Sequence, residues 1–181
     1  MSDDRKGIDH RLKKHSDVKS AIDMFKEILK APPIVINASK LIPGKMLFYK
    51  YNAKDKTQKY DKTPLVIVLG VSKNYVLGLN FHWYPSGIRK VFVHWLFKMY
   101  RKKKGSDFII NYRSIKPMLI KLGAAPVIRL YIRKRISQYG YEVPQDLWET
   151  AVNLPSESFT GGISAEKMYT QKVKDYKSKK K

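Results

Sequence analysis

The chain contains no cysteine, which excludes disulfide scaffolds, thiolate zinc sites and cysteine nucleophiles. Acidic residues are scarce: 15 Asp and Glu stand against 37 Lys and Arg in 181 residues, a formal net charge of +22. Such an excess repels itself unless a polyanion neutralises it. Nucleic acid is the first candidate and an anionic membrane surface the second. Long apolar runs are also missing. The longest candidate, Val91 to Met99, is broken by His94 and Lys98, far short of the ~20 residues of a membrane span. The opening stretch MSDDRKGIDHRLKKHSDVKS holds no apolar core, so no signal peptide is expected. The hydrophobic fraction of 43% is ordinary for a folded domain. These figures predict one soluble domain with tails and no membrane partner.

Residues 1–15 are polar and mixed in charge and read as a mobile arm. Val18, Ala21, Ile22, Phe25, Ile28 and Leu29 then recur at helical spacing. Ser16 or Asp17 can cap this helix, and Pro32-Pro33 ends it. Its apolar stripe either packs on its own domain or docks on a partner. From Pro43-Gly44 the texture changes to β. Met46 to Tyr51, Leu65 to Gly70 and Tyr75 to Trp83 read as three strands joined by short polar turns. The middle run is apolar throughout and predicts burial on both faces. Gly70 and Gly78 stand where such strands bend or approach closely.

Ser86 to about Lys103 reads as a long helix with Ile88, Val91, Phe92, Trp95, Leu96 and Met99 on its core face. Phe108 to Tyr112 is a further candidate strand, and Ser114 to Leu122 a short helix interrupted by Pro117. A helix is expected from Pro126 to about Ser137. Tyr141-Glu142-Val143 reads as a short strand, and Pro144 opens a short helix that ends before Pro155. The predicted fold class is α+β. A small antiparallel SH3-like barrel or meander at about 44–84 is flanked by an N-terminal helix and a helical C-terminal half. The expected organisation is an arm at 1–15, a single domain at 16–155 with its β unit at 44–84 and helical part at 86–155, and a basic flexible tail with a weak helix at 156–181.

The charge is uneven. Between Lys62 and Tyr141 sixteen Lys and Arg stand against one acid, Asp107. A solvated helix surface normally interleaves Glu with Lys, so the pattern points to phosphates as the missing anions. The candidate nucleic-acid-binding residues are Arg89, Lys90, Lys98, Arg101, Lys102, Lys103, Lys104, Arg129, Arg133, Lys134 and Arg135. On the expected helix, Arg129 and Arg133 lie one turn apart and follow a phosphate run; the structural alternative pairs them with Glu142, Asp146 or Glu149. No zinc finger, RRM signature or clear helix-turn-helix is present, so binding to backbone, shape or ends is expected.

Titratable candidates are few. On an extended strand Asn80, His82 and Tyr84 share one face. With Arg89 nearby, acid–base chemistry on a phosphodiester is conceivable, against the plainer reading of a structural histidine. Asp61, in Tyr60-Asp61-Lys62-Thr63-Pro64, reads as a turn residue bonding nearby backbone. No carboxylate pair has metal-site spacing, and no Walker loop or GxGxxG occurs. The expectation is a binding protein and not an enzyme, with no metal and no cofactor.

The segment GKMLFYKYNAKDKTQKYDKTPLVIVLGVSKNYVLGLNFHWYPSGIRK resembles a pattern in tailed-phage proteins. The matching positions are Gly44, Phe48, Tyr60, Asp61, Pro64, Leu65, Gly78, Leu79, Asn80, His82, Pro85 and Arg89. The resemblance, over about 45 residues, is to virion or DNA-packaging-associated proteins of myovirus-like phages, the DNA end protector group. It implies a basic protein in the virion or host cytoplasm that caps DNA ends, with other virion proteins as possible partners. A structural role at neck, tail or baseplate is the second reading. At the level of architecture alone the block also resembles the barrel of MazF-type ribonucleases.

Overall fold

The computed structural model describes residues 18–37, 40–55, 57–102, 110–121 and 127–178. The expected arm at 1–15, Lys103, Lys104 and the last three lysines lie outside the described residues.

Helix α1 (Val18–Leu29) buries Ala21 and Phe25. Phe25 stacks on Phe48 with ring centroids 3.8 Å apart, which docks the helix on the sheet. The chain leaves α1 through Lys30, at φ 45°, and reaches Pro32-Pro33. Six strands follow: β1 (Ile34–Val35), β2 (Met46–Tyr51), β3 (Leu65–Val71), β4 (Tyr75–Asn80), β5 (Ile128–Ile132) and β6 (Ile136–Val143). They form one antiparallel sheet in the order β1-β6-β2-β3-β4-β5. Between β4 and β5 the chain makes a 3-10 turn (Phe81–Trp83), helix α2 (Ser86–Lys102) and helix α3 (Tyr112–Lys121). After β6 come helix α4 (Trp148–Asn153) and helix α5 (Ala165–Ser178). None of these helices is long and apolar enough to cross a membrane.

The two faces of the sheet have separate cores. Met46, Phe48, Leu65, Ile67 and Leu79 point to one face, where residues from all five helices pack: Phe25, Phe92, Leu119, Trp148 and Met168 among them. Alternate residues Leu47, Tyr49, Val66, Val68 and Val76 point to the other, closed over by Leu41 and Tyr131. β3 is therefore covered on both sides, which is why Leu65 to Leu69 is continuously apolar. A register shift between Val68 and Gly70 bends β3. At Gly78 a Cβ would collide with Val66, and at Gly140 with Ile36 and, at 2.6 Å, the Phe48 carbonyl oxygen. These two glycines let neighbouring layers touch.

The three central strands are the expected meander, but the sheet is open and twice as wide. Among the described residues β5 pairs with β4 alone, and β1 with β6 alone, so the expected closed barrel at 44–84 is not formed. The helix expected over 126–137 is instead β5, a 3-10 turn (Arg133–Arg135) and the start of β6. Val127-Ile128-Arg129-Leu130-Tyr131-Ile132 is β-branched and aromatic, and the β4 edge needs backbone partners, so pairing wins over helix. The helical part expected at 86–155 thus contains two strands, and Tyr141–Val143 is the end of a strand of eight residues. Helix α3 starts at Tyr112, and Pro117 lies inside it. The segment after residue 155 is not a free tail. Ser156, Ser158, Phe159, Ala165 and Met168 are buried, and Asp61 bridges Phe159 in an antiparallel pair.

Candidate nucleic-acid interface

The end of β4 carries a buried polar cluster. Asn80 accepts from the His82 backbone N–H at 2.9 Å, which caps the 3-10 turn and fixes His82 inward. Asp61 Oδ2 accepts from His82 Nδ1 at 2.8 Å and from Asn80 Nδ2 at 3.1 Å. Asp61 Oδ1 accepts from the backbone N–H groups of Thr63, at 3.1 Å, and Ser158, at 3.3 Å. Ser156 Oγ lies 2.9 Å from His82 Nε2, and Thr63 Oγ1 donates to the Ser156 carbonyl. Burial alone would raise the Asp61 carboxyl; His82, Asn80 and the Thr63 amide outweigh it and hold the pKa below its ordinary value.

Ser156, His82 and Asp61 are linked as in a Ser-His-Asp hydrolase triad. His82 and Ser156 have no exposed surface, and Asp61 is 3% exposed, so the three side chains are enclosed within the fold. The cluster ties the 61–63 turn, the end of β4 and the 156–158 segment together. Sequence reading brought out Asp61, Asn80 and His82 but missed Ser156, which is 74 residues from His82 and carries no local signal. No group of three or more His, Cys, Asp and Glu that could hold a metal ion occurs among the described residues.

The candidate cations divide among different places. Arg89 is 2% exposed and leaves the proposed surface altogether. Its guanidinium donates to the carbonyls of Tyr84, His82 and Val152 and pairs with Glu157 at 3.3 Å. Lys90 and Lys98 are exposed on α2, the helix that packs on α4 through the Phe97–Trp148 stack. Arg101 and Lys102 form the end of that helix.

Arg129, Arg133, Lys134 and Arg135 occupy β5 and the turn after it, an extended ribbon edge and not a helix face. Arg133 donates to the Ser72 and Lys73 carbonyls at 3.1 Å each, fastening the β3–β4 hairpin. Lys134 is exposed and Arg135 half-buried. The pairing of Arg129 or Arg133 with Glu142 does not occur: Glu142 pairs with Lys40 and Lys45. The Arg129 guanidinium carbon lies over the Trp83 ring, 4.1 Å from its centroid.

Residues 2–177 match the family model of the phage T4 terminal DNA protecting protein. The chain belongs to that family. No curated protein and no solved structure matches it. The phage resemblance carried by about 45 residues thus extends over nearly the whole chain, including the helices and the two late strands. In this chain the buried Ser156–His82–Asp61 cluster links the end of β4 to the 156–158 segment. Sequence reading missed three further residues near Arg129. They are Trp83, taken only as a strand end, and Lys54 and Lys59, which lie outside the acid-poor span.

Proposed function

We propose that the chain binds the ends of linear double-stranded DNA, through backbone and end-group contacts without base reading, and shields them from exonucleases. It acts on packaged DNA in the virion and on DNA entering the host cytoplasm. The observation that carries this reading is the family match over residues 2–177. The uncompensated charge from Lys62 to Tyr141, with sixteen cations to one acid, agrees with it. The exposed cations Lys90, Lys98 and Lys134, together with Arg101 to Lys104 and the β5 edge, are the proposed phosphate contacts. A gel shift comparing linear with covalently closed circular DNA tests it. Linear DNA is expected to bind more tightly. With six to ten phosphates engaged, affinity falls by roughly 10³–10⁵ between about 50 and 200 mM salt. Equal affinity for both DNA forms, or a flat salt dependence, refutes it.

A further inference from the structure

A pocket of about 240 Å³ opens between the 51–61 loop and β5. This is below the ~300–1,000 Å³ of sites for drug-sized ligands, so it suits one end group and not a length of duplex. Trp83, Asp61 and Tyr131, all nearly inaccessible, close its floor. Lys54 and Lys59 stand exposed at its rim.

Arg129 is the anomaly in this pocket. Its guanidinium is half-buried on Trp83, and burial pulls its pKa below the ordinary value. Among the described residues no carboxylate lies within ion-pair distance of Arg129, Lys54 or Lys59, and no acceptor takes a hydrogen bond from the Arg129 guanidinium. A partly desolvated cation without an anion is costly. With its carbon over the indole face and no acceptor on its N–H groups among the described residues, the guanidinium has its fork available for a bidentate contact. The two carboxylates of the pocket wall are engaged elsewhere. Asp61 accepts from four donors in the buried cluster, and Asp55 accepts from the Thr57 amide and hydroxyl.

The remaining wall is aromatic. The Tyr51 and Tyr60 rings meet edge to face, with centroids 6.2 Å apart. The Tyr51 hydroxyl accepts from the Ile132 N–H at 3.3 Å, which pins the ring against β5. Such rings supply stacking surface for a sugar or base without reading its identity.

We propose that this pocket receives the terminal phosphomonoester of a nucleic-acid strand, with Arg129 as its bidentate contact and Lys54 and Lys59 as its outer cations. An internal phosphodiester carries one negative charge and continues in both directions, which a closed floor forbids. A terminal monoester carries about −1.5 to −2 and three acceptor oxygens at pH 7, and only the chain end enters. This assignment rests on the end-binding reading above and gives it a chemical basis.

The test uses the full chain and short blunt duplexes that differ only in their termini: 5′-phosphate, 3′-phosphate, or hydroxyl at both. A phosphorylated end of one polarity is expected to bind about 10–100-fold more tightly than the hydroxyl end, the worth of a charge-assisted contact. Arg129→Gln and Arg129→Lys should abolish most of that preference. Lys54→Gln combined with Lys59→Gln, at exposed positions that leave the core untouched, should reduce it. If linear DNA outcompetes circular DNA but terminal phosphate makes no difference, the pocket assignment is wrong and end binding stands. If circular DNA binds equally well, end binding fails, and a 5′- or 3′-phosphorylated dinucleotide then decides the pocket. A saturable shift of the Trp83 indole signal that Arg129→Gln removes upholds it, and no shift overturns it.

Discussion

Replacing Asp61 with Ala removes the acceptor for four buried donors: the His82 ring, the Asn80 amide, and the backbone N–H groups of Thr63 and Ser158. Removing one partner of a buried, hydrogen-bonded charge costs about 3–5 kcal/mol, a large share of the ~5–15 kcal/mol that holds a domain folded. Asp61→Asn is the informative comparison. Its amide oxygen can keep the Thr63 and Ser158 N–H groups, while the new NH₂ replaces Oδ2. His82 can then move its proton to Nε2, donate to Ser156 Oγ and accept at Nδ1. The Asn80 amide alone is orphaned, because its own oxygen is held by the His82 N–H. That loss is about 1–3 kcal/mol. Urea denaturation reads both, and with m of ~1–3 kcal/mol/M the Ala variant should lose about 2 M in midpoint. An Asp61→Ala variant within about 1 kcal/mol of the parent, or one no less stable than Asp61→Asn, would refute the assignment of this cluster as a structural link.

Other outcomes follow from the same geometry. The folded-state carboxyl of Asp61 lies below its ordinary value, so its stabilisation is complete above the unfolded value of about 3.9 and is lost as pH falls through the folded one. Stability should therefore drop steeply below about pH 4 in the parent and more gently in Asp61→Asn, measured by urea midpoints across that range. Arg89→Gln leaves Glu157 and three carbonyls short of a donor; it should cost about 2–4 kcal/mol in thermal or urea unfolding without changing the salt slope of DNA binding. Lys134→Gln, at an exposed turn, should do the reverse, lowering that slope by about one with stability unchanged. Gly78→Ala pushes a methyl into Val66 and should destabilise by about 1–3 kcal/mol in a melting curve.

The elements legible in the sequence are those whose neighbours are close along the chain. α1, α2 and the β2–β3–β4 meander follow from periodicity and turns alone, and the bend at Gly70 and close approach at Gly78 followed from residue type. β5 and all of β6 before Tyr141 were hidden because their partners are distant: Val76 opposite Tyr131, Tyr49 opposite Gly140. Between them stands Arg133-Lys134-Arg135, whose charge reads as a helix surface until the sheet edge that needs a partner is known. Arg89 looked like its basic neighbours, since nothing local announces that Tyr84, His82 and Val152 aim their carbonyls at it. Arg129 was singled out for a helical spacing that does not exist, since it lies on β5. What sets it apart is the Trp83 ring, 46 residues earlier in the sequence.

The buried cluster also dictates when the molecule can finish folding. Asp61, Asn80 and His82 leave the ribosome long before Ser156 and Ser158, whose side chain and backbone N–H complete their bonding. At ~5–20 residues per second the interval from residue 82 to residue 156 lasts roughly 4–15 s. Throughout it Asp61 lacks the Ser158 N–H and His82 Nε2 lacks its Ser156 partner. Phe159, which packs on Trp83 at 5.3 Å, and Met168 arrive later still. The strands therefore wait on the last-made segment, and a nascent chain halted before Ser156 should be digested by protease where the finished protein resists.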